Sequence, residues 1–337
     1  MVAWVHDEGT IQGGRARQED DYGVFELPPE LEAGDLLLVL ADGMGGEQAG
    51  ARASALTVRD FIETYDTVPA AAIPERLERT LTHVNERMAL EVASDPENLR
   101  GMGCTLLAVV LAEEGLYWIS VGDSPLWLWR RGRLRRLNQD HAYRSILAAE
   151  VSAGEISAAD AFRHPARNAL VSAVTGDEVE LVDLPRQAYP LKPGDQMLLA
   201  SDGLLTLGEN EIAALLTRAR GEEPCRRLLA AVEAHRCPHQ DNVTVLWAEA
   251  ADRPPASVWR RLGGCAPLLA LLVAALLTLG GAWWLAQNRE TVASTAAPPY
   301  RFRVAGTAGS PSQANRSLGC RRKPSAFQCS GRSSAPR

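Results

Sequence analysis

The chain has 337 residues, with 35 basic and 42 acidic side chains and a formal net charge of −7, long enough for one large domain plus an appendage. The charge is uneven: residues 251–337 hold 12 of the basic residues and only 2 of the acidic ones. The first 250 residues are therefore a strongly acidic body, which excludes general nucleic-acid binding, because a phosphate backbone requires a basic surface.

In chain order, residues 1–14 carry Asp7 and Glu8 and no apolar run, so no secretory signal is predicted there. The hydrophobic run Leu36 to Ala41 reads as a strand that enters Asp42. Helical periodicity follows over Glu47 to Tyr65 and Pro74 to Ala93. Four runs, Thr105 to Leu111, Leu116 to Val121, Leu126 to Arg130 and Arg133 to Leu137, read as consecutive strands. They are separated by turn signals at Glu114-Gly115, Asp123-Ser124-Pro125 and Arg131-Gly132, which predicts an antiparallel meander. Met197 to Ser201 is a further strand entering Asp202. Helices over Glu211 to Ala219 and Pro224 to His235 precede a last strand, Val243 to Trp247, that leaves Asp241. Strands and helices that occur in groups predict an α+β layered domain over residues 1–250.

Beyond it, residues 251–261 form a basic linker, and the stretch 262–288 is uncharged. Crossing roughly 30 Å of hydrocarbon takes about 20 residues, so 262–288 is predicted to be a single transmembrane helix, with Trp283 and Trp284 at the aromatic belt. Arg253, Arg260 and Arg261 precede it, and Arg289 with Glu290 follow. The positive-inside bias then places the domain in the cytoplasm, tethered to the inner membrane. Residues 289–337, rich in Ser, Pro, Gly and Arg, lack the periodicity to build a core and read as a disordered basic tail. Cys104, Cys225 and Cys237 are isolated and show no Cys-x-x-Cys spacing, which fits a reducing compartment.

The chemistry is concentrated in four acidic clusters: Arg15-Ala16-Arg17-Gln18-Glu19-Asp20, Asp42-Gly43-Met44-Gly45-Gly46, Ser201-Asp202-Gly203 and Asp241-Asn242. Three of them adjoin predicted strands. An ionised carboxylate beside apolar packing is costly unless paired or bound to metal. Hard divalent cations such as Mg²⁺ and Mn²⁺ favour all-oxygen ligation by a few carboxylates and waters, so convergence of these strand ends would build a metal site.

In order and wording these clusters resemble the metal-dependent protein phosphatases, the protein phosphatase 2C or PPM family, in its bacterial form. The match continues through Gly103-Cys104-Thr105, Val121-Gly122-Asp123-Ser124, Asp140-His141, the stretch from Gly154-Glu155-Ile156 to His164-Pro165-Ala166-Arg167-Asn168-Ala169-Leu170, and Lys192-Pro193-Gly194-Asp195. It covers residues 5 to 249. The resemblance implies a four-layer αββα sandwich of two antiparallel sheets flanked by helices, and hydrolysis of phosphoserine and phosphothreonine by a metal-activated water. It implies two Mn²⁺ or Mg²⁺ ions, with Asp42 bridging them, Gly43 offering its carbonyl to one, Asp202 and Asp241 completing the other, and Glu19 and Asp20 acting largely through water. Arg15 resembles the family's phosphate-binding arginine, and Asp123 the residue that with Asp202 holds a third, weaker ion. Residues 141–170 resemble the flap beside the cleft. The implied partners are phosphorylated proteins and an opposing Ser/Thr kinase.

Some positions depart from the commoner pattern: Met44 and Glu47 where histidine is frequent, Ala51 where an acidic residue is common, Pro125 where arginine usually follows. None of these is a metal ligand, but Met44 leaves the general acid unassigned. A pseudophosphatase scaffold and a hydrolase of small phosphoesters are the alternatives.

Overall fold

The computed structural model describes residues 4–45, 49–70, 72–218 and 223–250. The predicted transmembrane helix at 262–288, the linker and the tail lie outside the described residues, and among those described no helix is long and apolar enough to cross a membrane.

Strand β1 (Trp4–Ile11) is followed by β2 (Asp20–Glu26) and β3 (Leu36–Met44), then helices α1 (Ala49–Thr67) and α2 (Ile73–Ser94). A two-residue β4 (Gly103–Cys104) leads into β5 (Leu106–Ala112), β6 (Gly115–Val121), β7 (Leu126–Arg130) and β8 (Arg133–Arg136). Helices α3 (Tyr143–Ala153) and α4 (Ala158–Arg163) precede β9 (Gln196–Ala200), helices α5 (Glu209–Arg218) and α6 (Pro224–His235), and finally β10 (Val243–Ala250).

One sheet has the order β1-β10-β9-β7-β8 and the other β2-β3-β5-β6, with β4 paired to β3; all named pairings are antiparallel. Side-chain alternation along each strand sorts residues into layers. On β3, Leu37, Val39 and Ala41 pack with Phe61 and Tyr65 of α1 and Leu77 and Val84 of α2. From the same strand Leu36, Leu38 and Leu40 point the other way, against Leu126 and Leu128 of β7, Met197 and Leu199 of β9, and Leu246 of β10. Trp127, Leu198 and Val245 then face Ile212 and Leu216 of α5 and Leu228 of α6. Three apolar seams between four layers give the αββα sandwich.

The meander predicted over 105–137 is only half right. β5 pairs with β6, and β7 with β8, but β6 and β7 belong to different sheets, so Asp123-Ser124-Pro125 is a crossing from one sheet to the other rather than a hairpin. The first of those strands also begins at Leu106 instead of Thr105, which is released for another role. The helix read from Glu47 is described from Ala49, since residues 46–48 lie outside the described set. The edge strands β1 and β2 went unread in the sequence.

Candidate active site

The predicted carboxylates gather at one end of the sandwich, carried by strands of both sheets. Asp20 opens β2 and stands directly opposite Asp42 near the end of β3. Asp202 follows β9, Asp241 precedes β10, and Asp123 sits in the crossing between the sheets. Asp42 is buried far enough for its carboxyl to be held well above the ordinary range, first by desolvation and then by the charges of Asp20, Asp202, Asp123 and Asp241. Desolvation likewise raises Asp20 to about 6 and Asp202 to about 7, with neighbouring carboxylates adding to both. Such mutual repulsion around buried carboxylates is relieved by a cation.

The backbone is pinned by residues the sequence reading quoted without assigning a role. Ser201, fully buried, donates from Oγ to Asp20 Oδ2 at 2.7 Å and accepts from the Thr244 amide at 2.9 Å. Thr105 Oγ1 accepts from the Asp42 amide at 3.0 Å and is 2.8 Å from Ser124 Oγ. Asn242 Oδ1 accepts from the Glu19 amide, while its Nδ2 donates to the carbonyls of Gln12 and Arg17 at 2.8 and 2.9 Å, so it staples the loop between β1 and β2 to the start of β10. Their motifs were visible in the sequence; their partners, far away in the chain, were not.

Gly43 lies where β3 meets that loop and α1. Its amide donates to the Glu19 carbonyl at 3.1 Å, and a Cβ there would collide with the carbonyls of both Gly50 and Glu19. Glycine is required by this close approach. Glu19 reaches back toward Gly50, half-buried, and its own carbonyl also takes the hydroxyl of Ser54 at 2.6 Å. Arg15 is exposed on the loop, its Nη2 2.6 Å from Asp241 Oδ2.

Asp123 is the exception within the set. Its Oδ2 takes a hydrogen bond from Arg144 Nη2 at 3.0 Å, and Arg144 Nε also donates to Asp140 Oδ2 at 2.7 Å. Nothing in the sequence reading singled out Arg144. The neighbouring His141 is 2 % exposed and accepts from the Gly122 amide at Nδ1, which burial favours by lowering its pKa. Met44, a thioether, carries no acidic proton. Neither is placed to protonate a leaving group.

The donor set fits divalent cations: all its ligating atoms are hard oxygens, and Asp20 Oδ1 is buried with no hydrogen-bond partner, a state costing about 1–3 kcal/mol or more for a charged group unless something positive meets it. Among the described residues no three acidic side chains close into a pre-formed cage.

A family profile for protein phosphatase 2C matches residues 15–243. The serine/threonine phosphatase stp of Listeria monocytogenes is 33% identical over 252 residues, covering 73% of this chain and 96% of its own. Among solved structures, the serine/threonine phosphatase PstP/Ppp of Mycobacterium tuberculosis superposes with a TM-score of 0.62 at 31% identity, covering 75% of this chain and 100% of that one. The PstP catalytic domain in complex with two manganese ions gives 0.60 at 30% identity, with the same coverage. The chain belongs to the protein phosphatase 2C family.

Proposed function

We propose that this member of the protein phosphatase 2C family is a metal-dependent serine/threonine phosphoprotein phosphatase that works with Mn²⁺, or Mg²⁺ in its place, against a Ser/Thr kinase. The observation that carries the reading is the gathering of Asp20, Asp42, Asp202 and Asp241 at one end of the sandwich, where burial and neighbouring charge raise the carboxyls of Asp20, Asp42 and Asp202. A pseudophosphatase would be expected to have lost part of this set, and here Glu19 and all four aspartates are in place.

Asp42, the Gly43 carbonyl, Asp202 and Asp241 would hold two ions, with Glu19 and Asp20 reaching them largely through water. When bound, such ions lower the pKa of water and neutralise charge on phosphoryl oxygens. The chain's own residues do the positioning. Ser201 and Thr105 fix the two strands that carry Asp20 and Asp42, and Asn242 fixes the loop that carries Glu19 and Arg15. The Arg15 guanidinium has five donors in a planar fork, enough to keep Asp241 and still grip two phosphate oxygens. The acidic body disfavours free polyphosphates and nucleic acid while leaving a local basic contact at Arg15.

Helices α3 and α4 form the flap. Beside Arg144 they line an open recess of about 480 Å³ with Leu147, Val151, Phe162 and Arg167, and Phe162 is 72 % exposed. An apolar recess on the flap favours a protein side chain over a small phosphoester, and loops of this kind usually set substrate choice. The uncharged 262–288 segment supports tethering at the inner membrane, with the catalytic domain in the cytoplasm.

The test is turnover of a phosphothreonine peptide in Mn²⁺, with small phosphorylated metabolites as competitors. Inactivity in Mn²⁺ and Mg²⁺ alike would defeat the reading, and faster turnover of the metabolites would favour the small-phosphoester alternative.

A further inference from the structure

The family pattern assigns Asp123, with Asp202, to a third and weaker ion, and in this chain those residues do not fit one. Asp123 is 3 % exposed, and one of its carboxylate oxygens is engaged by Arg144 at 3.0 Å. Arg136 donates to the Asp123 carbonyl at 2.9 Å and lies 3.2 Å from Asp140. One guanidinium is therefore on the Asp123 carboxylate and a second on its backbone carbonyl. Arg144 is itself only 15 % exposed.

The placement of Arg144 is not what its helix prefers. It lies in the first turn of α3, where the macrodipole disfavours a cation, and the residue before the helix, Ala142, offers no side-chain cap. Two carboxylates outside the helix hold it there: Asp123 from the sheet crossing and Asp140 from the preceding loop. The flap is thus tied to the carboxylate cluster through one side chain. Backbone hydrogen bonds from Val171 to the His141 carbonyl and from Tyr143 to the Ala169 carbonyl, at 2.8 and 2.9 Å, clamp the base of the flap.

We infer that Arg144 is a built-in cation on the Asp123 edge of the active site, supplying the positive charge that a third divalent ion would bring and closing that position to one. Asp123 then acts as a positioning residue: it anchors α3 of the flap and does not ligate metal. This rests on the two-ion reading above.

The experiment is Mn²⁺ stoichiometry and affinity by isothermal titration calorimetry on the purified full chain, in native and variant forms that share the native thermal melt. The native protein should bind two ions. Arg144→Gln, which keeps hydrogen-bonding capacity but removes the charge, should expose a third site, at least about tenfold tighter than any residual binding there in the native chain, because a unit charge in close contact has been withdrawn. Arg144→Lys should keep two, as rescue by charge demands, and Arg144→Gln with Asp123→Asn should return to two. Three ions in the native protein, falling to two in Asp123→Asn, would overturn the inference, as would an Arg144→Gln protein that still binds two. Binding of no ion at all in the native protein would instead sink the two-ion reading itself, so the two failures are distinguishable.

Discussion

The hydroxyl of Ser201 reaches across the sandwich to Asp20 Oδ2 at 2.7 Å, joining the end of β9 in one sheet to the start of β2 in the other. The bond is buried and leaves Asp20 Oδ1 as the free oxygen of that carboxylate. It sets which oxygen is offered to a cation. Ser201→Ala should weaken Mn²⁺ affinity by about 10- to 100-fold, the usual effect of removing a group that orients a ligand, and lower stability by about 1–3 kcal/mol, since the Thr244 amide also loses its acceptor. Metal titration and thermal melts check both; unchanged Mn²⁺ affinity would mean that Asp20 is oriented by other contacts.

Asp42→Asn or Asp202→Asn removes a charge from the shared cluster. Each variant should lose at least about a hundredfold in kcat with phosphopeptide and need more Mn²⁺ for what remains. Both should also be more stable than the native chain in EDTA at neutral pH, because a source of repulsion is gone. Full activity in either would remove that residue from the metal set.

Arg15→Ala should raise KM for phosphopeptide with the Mn²⁺ stoichiometry intact, as expected for a group that holds the phosphate. Lys at the same position should recover part of the loss, because an ammonium lacks the planar fork. Steady-state kinetics of both variants decide this, and native KM values in the alanine variant would return Arg15 to an ordinary surface ion pair with Asp241.

The metal-free protein should lose stability as pH rises. Asp20 and Asp202 titrate in the fold near 6 and 7, above the ordinary 3.8. A raised pKa means that the folded state holds its proton longer, so the contribution is complete below about pH 4 and is lost as pH climbs through about 6 to 7. In EDTA the melting temperature should fall between about pH 4 and 7, and Mn²⁺ should recover most at the alkaline end. A metal-free melting temperature that climbs across this window would contradict the repulsive cluster.

The uncharged 262–288 segment predicts that the full chain fractionates with membranes and resists high salt, whereas a chain ending at Asp252 is soluble and active. In intact spheroplasts the catalytic domain should be shielded from added protease, and a reporter after Arg337 should lie outside. Release by salt alone would remove the span, and digestion of the domain would reverse the topology.

How much was legible follows from where each signal resides. Buried strands such as β3 and β5 announce themselves, being apolar on both faces. The edge strands β1 and β2 carry Asp7, Glu8, Asp20, Asp21 and Gly23, with mostly half-exposed residues, so neither pattern nor composition marks them, although β2 carries a central carboxylate. Asp123-Ser124-Pro125 has the composition of a hairpin turn, and turn chemistry says nothing about whether the next strand stays in the same sheet. The carboxylates of the site were readable because their short motifs are local. Ser201 on Asp20, Thr105 on Asp42, Asn242 on Glu19 and Arg144 on Asp123 were not, because each joins residues 21 or more positions apart that meet only in the folded chain.

In the sandwich β1 has one neighbouring strand, β10, with Trp4 facing Ala250 and Ile11 facing Val243. Strand β1 thus waits on the ribosome for β10. At bacterial elongation rates of about 5–20 residues per second, that wait is on the order of tens of seconds, during which Arg15 and Glu19 have neither Asp241 nor Asn242 to dock against. A nascent chain therefore cannot act as a phosphatase on its surroundings before residue 250 has left the exit tunnel.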